Sequence, residues 1–306
     1  MTETENTLEE TAAEQDAAED QPAKKQPKGK KAEREAAVAE AAPVEARTKR
    51  RALVTGASSG IGEEFARQLV KKRYDLVLVA RRRDRLEKLA AELAEAHGTN
   101  AEVISADLAT PEGIHTVEKR FGQGDIDLLV NNAGFPTHGE FTSLPIHREL
   151  EEVDVNIKAL VRLTRAALEP MVQRKRGTVI NLGSTGSFQP VPYMSTYAAT
   201  KAFVLHFSEG VHEEVKPHGV TVTCLCPGYV MTEFQQVAGL DKSKIPNRGR
   251  VSLEQVVEAA LKGAAAGRAI VIPGALNRTM ATGLVRLTPR FAVRRIAGSI
   301  FKDAGA

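Results

Sequence analysis

The sequence has few cysteines, no long apolar run and little net charge, and each absence excludes a class of protein. Its only cysteines, Cys224 and Cys226, stand two residues apart, a spacing that forms neither a disulfide framework nor a zinc site. We interpret them as buried thiols on one face of a strand. No stretch reaches the roughly 18 apolar residues of a membrane span, and the acidic amino terminus lacks the apolar core of a secretory signal, so we expect a cytoplasmic protein. A net charge of +3 does not suggest a nucleic-acid partner, and the seven scattered histidines predict no metal site.

The first 46 residues differ in composition from the rest of the chain. Residues 1–20 contain eight acidic residues and no Lys or Arg, whereas residues 21–51 contain ten Lys and Arg against four Glu. With almost no aromatic or branched apolar side chains, this segment cannot offset the entropy of ordering, so we predict a disordered charged tail over residues 1–46. The basic run at residues 24–31 allows a weak contact with an anionic surface, but we favour a solvated extension.

After the tail, short apolar runs alternate with amphipathic stretches, which is the pattern of repeated β-α-β units. The predicted strands are residues 52–55, 76–79, 103–105, 128–131, 178–182, 221–226 and 269–272. The predicted helices are residues 63–72, 84–97, 149–173, 196–216 and 253–266. We therefore predict a single α/β domain over residues 47–274, with a doubly wound, parallel, seven-stranded sheet. Its ligand crevice should lie at the carboxyl ends of the strands, beside the first strand.

A glycine-rich turn follows the first predicted strand and opens a helix near Ile61. It reads Thr55-Gly56-Ala57-Ser58-Ser59-Gly60-Ile61-Gly62. Glycine lets the backbone turn tightly and approach a pyrophosphate, and the following helix terminus offers unpaired N–H groups to it. The residues that we expect to bind phosphate are Gly56, Ser58, Ser59, Gly60, Ile61 and Gly62. Taken alone, the turn is also compatible with an ordinary strand-to-helix loop.

Tyr197 and Lys201 stand four residues apart, so a helix places them on one face. A phenol titrates at about pH 10, and a nearby ammonium group favours the phenolate, so we expect Lys201 to lower the pKa of Tyr197. The phenol could then pass a proton to or from a substrate oxygen. The same pair also occurs by chance on helix surfaces, so the spacing alone leaves a structural role open.

Together with further motifs, these residues make the chain resemble the short-chain dehydrogenase/reductase family over residues 51–272. The matching positions are Thr55, Gly56, Gly60 and Gly62 in T-G-x-x-x-G-x-G, Asn131-Asn132-Ala133-Gly134 in N-N-A-G, Ser184 thirteen residues before Tyr197, and Pro227, Gly228 and Thr232 in P-G-x-x-x-T. The resemblance implies a Rossmann fold and an oxidoreductase that interconverts a ketone and a secondary alcohol. We also expect a homodimer or a homotetramer.

The resemblance implies a role for each matching residue. Tyr197 would be the proton donor, and Ser184 would donate to the carbonyl oxygen as negative charge develops there. Asn156 would hold a water that links Lys201 to bulk solvent. The positions that would contact the cofactor are Asp107, Asn132, Ala133, Gly134, Tyr197, Lys201, Pro227, Gly228 and Thr232. A non-catalytic NADPH-binding regulator is the alternative, but it would need the glycine turn and not the four residues Ser184, Tyr197, Lys201 and Asn156.

The end of the second strand indicates which nicotinamide cofactor binds. Proteins of this fold that prefer NAD place an acidic residue about twenty positions beyond the glycine turn, where it accepts a hydrogen bond from the ribose 2′-hydroxyl. This chain has Arg81-Arg82-Arg83 there instead. Because a guanidinium pairs with a phosphate in fork geometry, we expect Arg81 and Arg82 to bind the 2′-phosphate of NADP(H). Ser59 departs from the many NADP-using relatives that carry a basic residue inside the turn.

For the substrate region and the carboxyl terminus, the sequence indicates general character but no specific motif. The predicted substrate loop covers residues 234–250, and the neighbouring residues Phe188, Val191, Pro192, Tyr193 and Met194 suggest an apolar ketone. The resemblance, which is closest to the acyl- and steroid-reducing branch of the family, implies an acyl- or steroid-like substrate. Residues 275–306 form a basic amphipathic extension, in which residues 277–302 hold six Lys and Arg and no acids and Pro289 separates two helical pieces. Contact with an anionic membrane and packing over the substrate mouth or at a subunit contact both fit this pattern.

Overall fold

The computed structural model of this chain describes residues 49–241, 249–302 and 304. The predicted tail, residues 1–46, lies outside the described residues, as does the part of the predicted substrate loop at residues 242–248.

Seven strands form one parallel sheet. They are β1 (Arg50–Thr55), β2 (Tyr74–Ala80), β3 (Ala101–Ser105), β4 (Leu128–Asn131), β5 (Gly177–Leu182), β6 (Val220–Leu225) and β7 (Ile270–Val271). Their order across the sheet is β3-β2-β1-β4-β5-β6-β7, and each pair of neighbours is parallel. The strand order therefore reverses between β1 and β4, which is the point where a doubly wound sheet opens a crevice. The predicted fold class is confirmed.

The helices cover both faces of this sheet. They are α1 (Gly60–Lys71), α2 (Arg83–His97), α3 (Pro111–Phe121), α4 (Ile146–Val153), α5 (Leu160–Gln173), α6 (Ser195–Val215), α7 (Phe234–Val237), α8 (Leu253–Ala265), α9 (Ala275–Arg278), α10 (Val285–Leu287) and α11 (Arg290–Lys302). Two π-helical segments, Asp154–Ala159 and Thr279–Leu284, join α4 to α5 and α9 to α10.

The sheet separates two apolar cores because parallel strands of this kind are buried on both faces. On one side, Phe65 and Leu69 of α1 pack with Leu86 of α2, against strand residues such as Val54. On the other side, Leu163 and Met171 are among the residues of α5 that pack with α3, against β1, β2 and β4.

Two features of the helices differ from the sequence prediction. Helix α3 was not predicted, although Thr110 caps it by accepting a hydrogen bond from the Gly113 backbone N–H at 3.1 Å and Pro111 occupies its first turn. The predicted helix at residues 149–173 is wrong as one continuous α-helix, because the π-helical segment Asp154–Ala159 divides it. In the described parts of the chain, no helix combines the length and apolar character that a bilayer crossing requires.

Candidate active site

The glycine turn lies between β1 and α1, beside the reversal of strand order. Gly56 and Gly60 adopt φ values of +65° and +59°, the left-handed region in which a side chain is strained. Gly62 has a different constraint, because a Cβ there would overlap the carbonyl oxygen of Gly56. The three glycines are thus required by the path of the turn itself, which brings the backbone around the N-terminus of α1.

The segment after β4 braces the glycine turn. Thr55 Oγ1 accepts hydrogen bonds at 3.0 Å from the backbone N–H groups of Asn132 and Ala133. Asn132 Nδ2 donates to the carbonyl oxygens of Thr55 at 2.9 Å and Gly56 at 3.2 Å. The side chain of Asn132 therefore holds the shape of the turn. A Cβ on Gly134 would lie 2.7 Å from Asn156 Oδ1, so that glycine is also needed for close approach.

Arg82 lies across the glycine turn. Its guanidinium donates to Ser58 Oγ from Nε at 3.2 Å and from Nη2 at 3.0 Å, and to Ser59 Oγ at 2.9 Å. Arg82 follows the end of β2, and its guanidinium brings a positive charge to Ser59, the position without a basic residue of its own. This contact joins the predicted phosphate turn to the predicted 2′-phosphate residue.

Glu233 is a partner of Arg82 that the sequence prediction missed. Arg82 Nη1 pairs with Glu233 Oε2 at 2.8 Å, and Arg85 Nη1 pairs with Oε1 at 2.7 Å. Hydrogen bonds from Arg85 and Arg82 lower the pKa of the Glu233 carboxyl to about 2, so it is ionised at neutral pH. The one signal in the sequence is the position of Glu233, directly after Thr232.

The remaining predicted cofactor positions surround the same crevice. Arg81 Nη1 lies 4.0 Å from Asp107 Oδ2, which places these two residues together at the ends of β2 and β3. A Cβ on Gly60 would lie 3.1 Å from the methyl group of Thr232, so the P-G-x-x-x-T segment faces the glycine turn closely. Pro227 accepts a hydrogen bond from the Thr185 backbone N–H at 2.9 Å, which fixes it beside Ser184.

Ser184, Tyr197 and Lys201 meet where β5 ends. Lys201 Nζ lies 5.7 Å from the centroid of the Tyr197 ring and donates to the carbonyl oxygen of Leu182 at 2.8 Å. The side chain of Ser184 is near enough to the phenol of Tyr197 to lower the pKa of that group. The prediction that Tyr197 and Lys201 share one face of their helix is confirmed by these distances.

The two cysteines support the backbone at Ser184. A Cβ on Gly183 would lie 2.8 Å from Cys224 Sγ and 2.9 Å from Cys226 Sγ. Both thiols are buried, and their sulfur atoms are 3.5 Å apart, as expected for residues on one face of β6 and its end. They therefore act as packing groups beneath the turn that presents the serine.

The pKa of Tyr197 departs from the sequence prediction. Burial raises this pKa well above the ordinary value of 10, although the side chain of Ser184 opposes the rise. Burial also lowers the pKa of Lys201 to about 8. The predicted lowering of the tyrosine pKa is not found in this structure, because desolvation is the largest effect on the phenol and Lys201 is not among the groups that shift its pKa. At neutral pH the phenol is protonated and can donate its proton.

Asn156 lies in the π-helical segment Asp154–Ala159 and is 1% exposed. Its Oδ1 accepts from the Phe135 backbone N–H at 3.2 Å, and its Nδ2 donates to the Phe135 carbonyl at 3.1 Å and to Thr200 Oγ1 at 3.1 Å. Single π-helical turns inside α-helices often occur at functional sites, where they redirect a side chain. Here the π-helical turn places the Asn156 side chain between the segment after β4 and helix α6, which carries Lys201.

A buried carboxyl group, Glu152, adjoins Asn156 and was also missed. Its Oε2 accepts from the backbone N–H of Thr137 at 2.9 Å and from Thr137 Oγ1 at 2.7 Å, and its Oε1 lies 3.5 Å from Asn156 Nδ2. Complete burial raises the pKa of Glu152 to about 7, and the nearby charge of Glu149 adds to the rise. Its position four residues before Asn156, one helical turn away, is the signal that could have identified it.

Apolar side chains form a wall around Tyr197, which we call the substrate mouth. Val191, Met194, Leu240 and Phe301 pack together with the partly buried rings of Tyr193, Tyr197 and Tyr229. The Phe234 ring meets the Tyr197 ring edge to face at 5.5 Å between centroids. Of the predicted substrate residues, Val191, Tyr193 and Met194 belong to this wall, whereas Phe188 packs in a separate cluster with Val204 and Ala281.

Helix α11 lies over the substrate mouth. Its residues Val293, Ala297 and Phe301 face inwards and are buried. The carbonyl oxygen of Phe301 lies 2.8 Å from His138 Nε2, and the Asp241 backbone N–H donates to the Ala304 carbonyl at 2.9 Å. The structure therefore supports packing over the mouth, one of the alternatives for the carboxyl-terminal extension.

The crevice fits a dinucleotide by its shape and charge. Its glycine turn leaves no room for side chains at Gly56 and Gly62, and the guanidinium of Arg82 stands at its outer end. Tyr197, the predicted proton donor, stands at its inner end, by Gly134 and Lys201. Within the described ranges, no three His, Cys, Asp or Glu side chains come together as metal ligands would.

Comparison with known proteins agrees with this geometry. The family model for short chain dehydrogenases matches residues 50–243. The very-long-chain 3-oxoacyl-CoA reductase of Bos taurus is 33% identical over 217 residues, which are 69% of this chain and 67% of that protein. The chain spans 62% of the length of the corresponding reductase of Anas platyrhynchos.

Two solved structures share the fold over most of their length. A short-chain dehydrogenase from Sphingobium yanoikuyae in complex with NADPH superposes with a TM-score of 0.71 at 34% identity, covering 79% of this chain and 97% of the other. The bulky-bulky ketone specific alcohol dehydrogenase from Comamonas testosteroni gives 0.67 at 30% identity, covering 80% and 96%.

Proposed function

This chain belongs to the short-chain dehydrogenase family, and from that premise we propose that it is an NADP(H)-dependent oxidoreductase that interconverts an apolar ketone and its secondary alcohol. Members of the family act on CH–OH and keto groups, and the chain is an oxidoreductase of that kind. The observation that carries the proposal is the meeting of Ser184, Tyr197 and Lys201 at the inner end of the glycine crevice.

The preference for NADP(H) is supported by the outer end of the crevice. Arg82 contacts both serines of the glycine turn, and Arg81 stands beside Asp107. A guanidinium at this place attracts a 2′-phosphate, whereas a carboxylate would repel it. The similar Sphingobium yanoikuyae protein has NADPH in its complex, in agreement with this assignment.

The protein's own groups supply the proton chemistry. When bound, the reduced nicotinamide supplies the hydride that adds to the carbonyl carbon. Tyr197, kept protonated by burial, donates its proton to the carbonyl oxygen, and Ser184 donates a hydrogen bond to the same oxygen as it gains negative charge. Lys201, whose pKa is about 8, remains largely cationic at neutral pH and stabilises the phenolate that is left.

An apolar substrate is favoured by the composition of the substrate mouth. Aliphatic side chains and aromatic rings surround Tyr197. The similar proteins are named for bulky ketones and for 3-oxoacyl chains, which are both large and largely apolar. We therefore propose an acyl- or steroid-like ketone as the substrate class.

The test is a panel of ketones assayed for NADPH oxidation. The panel contains bulky diaryl, steroid and 3-oxoacyl thioester ketones, and it is run with the wild-type protein and with Tyr197→Phe. We expect turnover of at least one bulky ketone by the wild type and about 100-fold or greater loss of kcat in the variant. A wild type that binds NADPH but is as inactive as Tyr197→Phe on every ketone would instead support a non-catalytic regulator.

A further inference from the structure

The carboxyl-terminal helices expose an unusual amount of apolar surface. Thirteen large apolar side chains are exposed among the described residues, and seven of them lie between residues 276 and 300. These seven are Leu276, Met280, Leu284, Leu287, Phe291, Ile296 and Ile300. Contiguous exposed apolar patches on a folded protein usually mark an interaction surface.

The first four of these side chains lie on one stripe. Leu276, Met280, Leu284 and Leu287 are spaced by four, four and three residues along the helical stretch that runs from α9 through the π-helical segment to α10. Residues at this spacing share a helix face. The adjoining face holds Ala281, which is buried against the core. The stripe thus points away from the fold, and Leu287 at its end is 86% exposed.

The charge of the same segment has one sign. Residues 277–302 carry six Lys and Arg and no Asp or Glu. The six are Arg278, Arg286, Arg290, Arg294, Arg295 and Lys302, and all are exposed. Apolar side chains interspersed with cations suit the surface of an anionic bilayer, where the apolar groups enter the acyl boundary and the cations meet the headgroups.

From these observations we propose that the surface formed by α9, α10 and α11 with their π-helical connection docks the protein on an anionic lipid bilayer. A second copy of the chain fits this surface less well, because a symmetric contact would bring two sets of six cations together.

The location of this surface relates it to the substrate mouth. The inner face of α11 covers the mouth through Phe301, and its outer face carries Phe291, Ile296 and Ile300. Docking would therefore hold the mouth at the bilayer surface, where an apolar ketone concentrates. This second step rests on the proposed function, whereas the docking itself is measured without turnover, so the two can fail separately.

Vesicle flotation of the full-length chain tests the docking. The vesicles contain either phosphatidylcholine alone or phosphatidylcholine with phosphatidylserine, at low and high salt. We expect the wild type to float with the phosphatidylserine vesicles at low salt, to float less at high salt, and to remain unbound with phosphatidylcholine alone.

Two variants assign the binding to the proposed surface. Leu284→Gln with Leu287→Gln keeps every charge and should lower the affinity for phosphatidylserine vesicles by roughly tenfold, as should Arg294→Gln with Arg295→Gln. The matched controls are Ile146→Gln with Leu150→Gln, an exposed apolar pair on α4, and Arg83→Gln with Arg165→Gln, and both should float like the wild type. Circular dichroism checks that each variant is folded.

Three results would overturn the proposal. The first is a wild type that floats with neither kind of vesicle. The second is a Leu284→Gln and Leu287→Gln variant that floats as well as the wild type, because the binding would then be assigned to the basic residues 21–51. The third is a wild type that binds no vesicles but sediments as an oligomer, together with a variant that sediments as a monomer. That result would make the surface a contact between copies of the chain.

Discussion

The buried carboxyl group of Glu152 acts electrostatically on Lys201, one of the proposed catalytic residues. Burial lowers the pKa of Lys201, and Cys224 and then Glu152 raise it in the opposite direction. Replacing Glu152 with Gln keeps an acceptor for Thr137 but removes the charge. We expect Glu152→Gln to lower the pKa of Lys201 and to move the alkaline limb of the kcat/KM profile to lower pH.

The same substitution should change how stability depends on pH. The pKa of Glu152 is about 7 in the folded protein and 4.5 ordinarily, so the native state holds its proton more tightly than the unfolded state does. The free energy of unfolding should therefore fall as pH rises between these two values, by up to about 3 kcal/mol, and Glu152→Gln should lack this decrease. Urea titrations at pH 5 and pH 8 measure it. Glu151→Gln, on the exposed side of α4, is the control, and equal slopes in all three proteins would contradict the account.

Arg82 determines the cofactor preference in this account. Its guanidinium is held over Ser58 and Ser59 by Glu233, so its position is set before a phosphate arrives. We expect Arg82→Gln to weaken NADPH binding by roughly 10- to 100-fold and to leave NADH binding nearly unchanged, because only NADPH carries the 2′-phosphate. Arg83→Gln is the control, since Arg83 pairs with Glu87 on the outside of α2. Equal weakening of both cofactors by Arg82→Gln, measured by fluorescence titration, would exclude this role.

At the scale of elements, the glycine turn is limited by space as much as by backbone conformation. A Cβ on Gly62 would overlap the Gly56 carbonyl, so Gly62→Ala must displace either the turn or the start of α1. We expect a loss of about 3 kcal/mol in the free energy of unfolding together with weaker NADPH binding. Gly210→Ala in α6 has open space around its Cβ and should gain about 1 kcal/mol instead. A Gly62→Ala variant as stable as the wild type in urea would show that the turn tolerates a side chain.

The elements that the sequence predicted well have strong local signals. The apolar runs of the strands, such as that of β2, are short and bounded by polar residues. The bounds of all seven strands were therefore predicted to within a few residues. The π-helical segment at Asp154–Ala159 was not predictable, because Asn156 and Glu152 set it through contacts with Phe135 and Thr137, far along the chain.

In the candidate site, features set by local spacing were also predictable, whereas features set by contacts distant in sequence were not. Spacing was sufficient to place Tyr197 and Lys201 on one face of α6. The contact of Glu233 with Arg82 spans 151 positions and leaves no periodic pattern in the sequence. The direction of the Tyr197 pKa shift was also mistaken, because the extent of burial depends on side chains from α11 and the segment after β6, which pack around the ring only in the folded chain.

At the scale of the whole molecule, the charged tail is expected to be dispensable for folding and turnover. A segment with so few large apolar side chains has little to bury, so we expect it to contribute little to the free energy of unfolding. Removal of residues 1–46 should leave the free energy of unfolding within about 0.5 kcal/mol of the wild type and leave kcat/KM unchanged. Urea unfolding and the ketone assay on the shortened chain measure both, and a large loss in either would show that the tail belongs to the fold. The homodimer or homotetramer stays a prediction, which analytical sedimentation tests.

A single-turnover measurement with NADPH already bound tests whether Tyr197 is the proton donor. The protein–NADPH complex is mixed rapidly with a ketone that it reduces, and the loss of reduced-nicotinamide absorbance is followed for the wild type and for Tyr197→Phe. We expect both proteins to bind NADPH, and we expect the transfer step to be at least about 100-fold slower in the variant. Transfer at the wild-type rate in Tyr197→Phe would contradict it, because the proton would then come from another group.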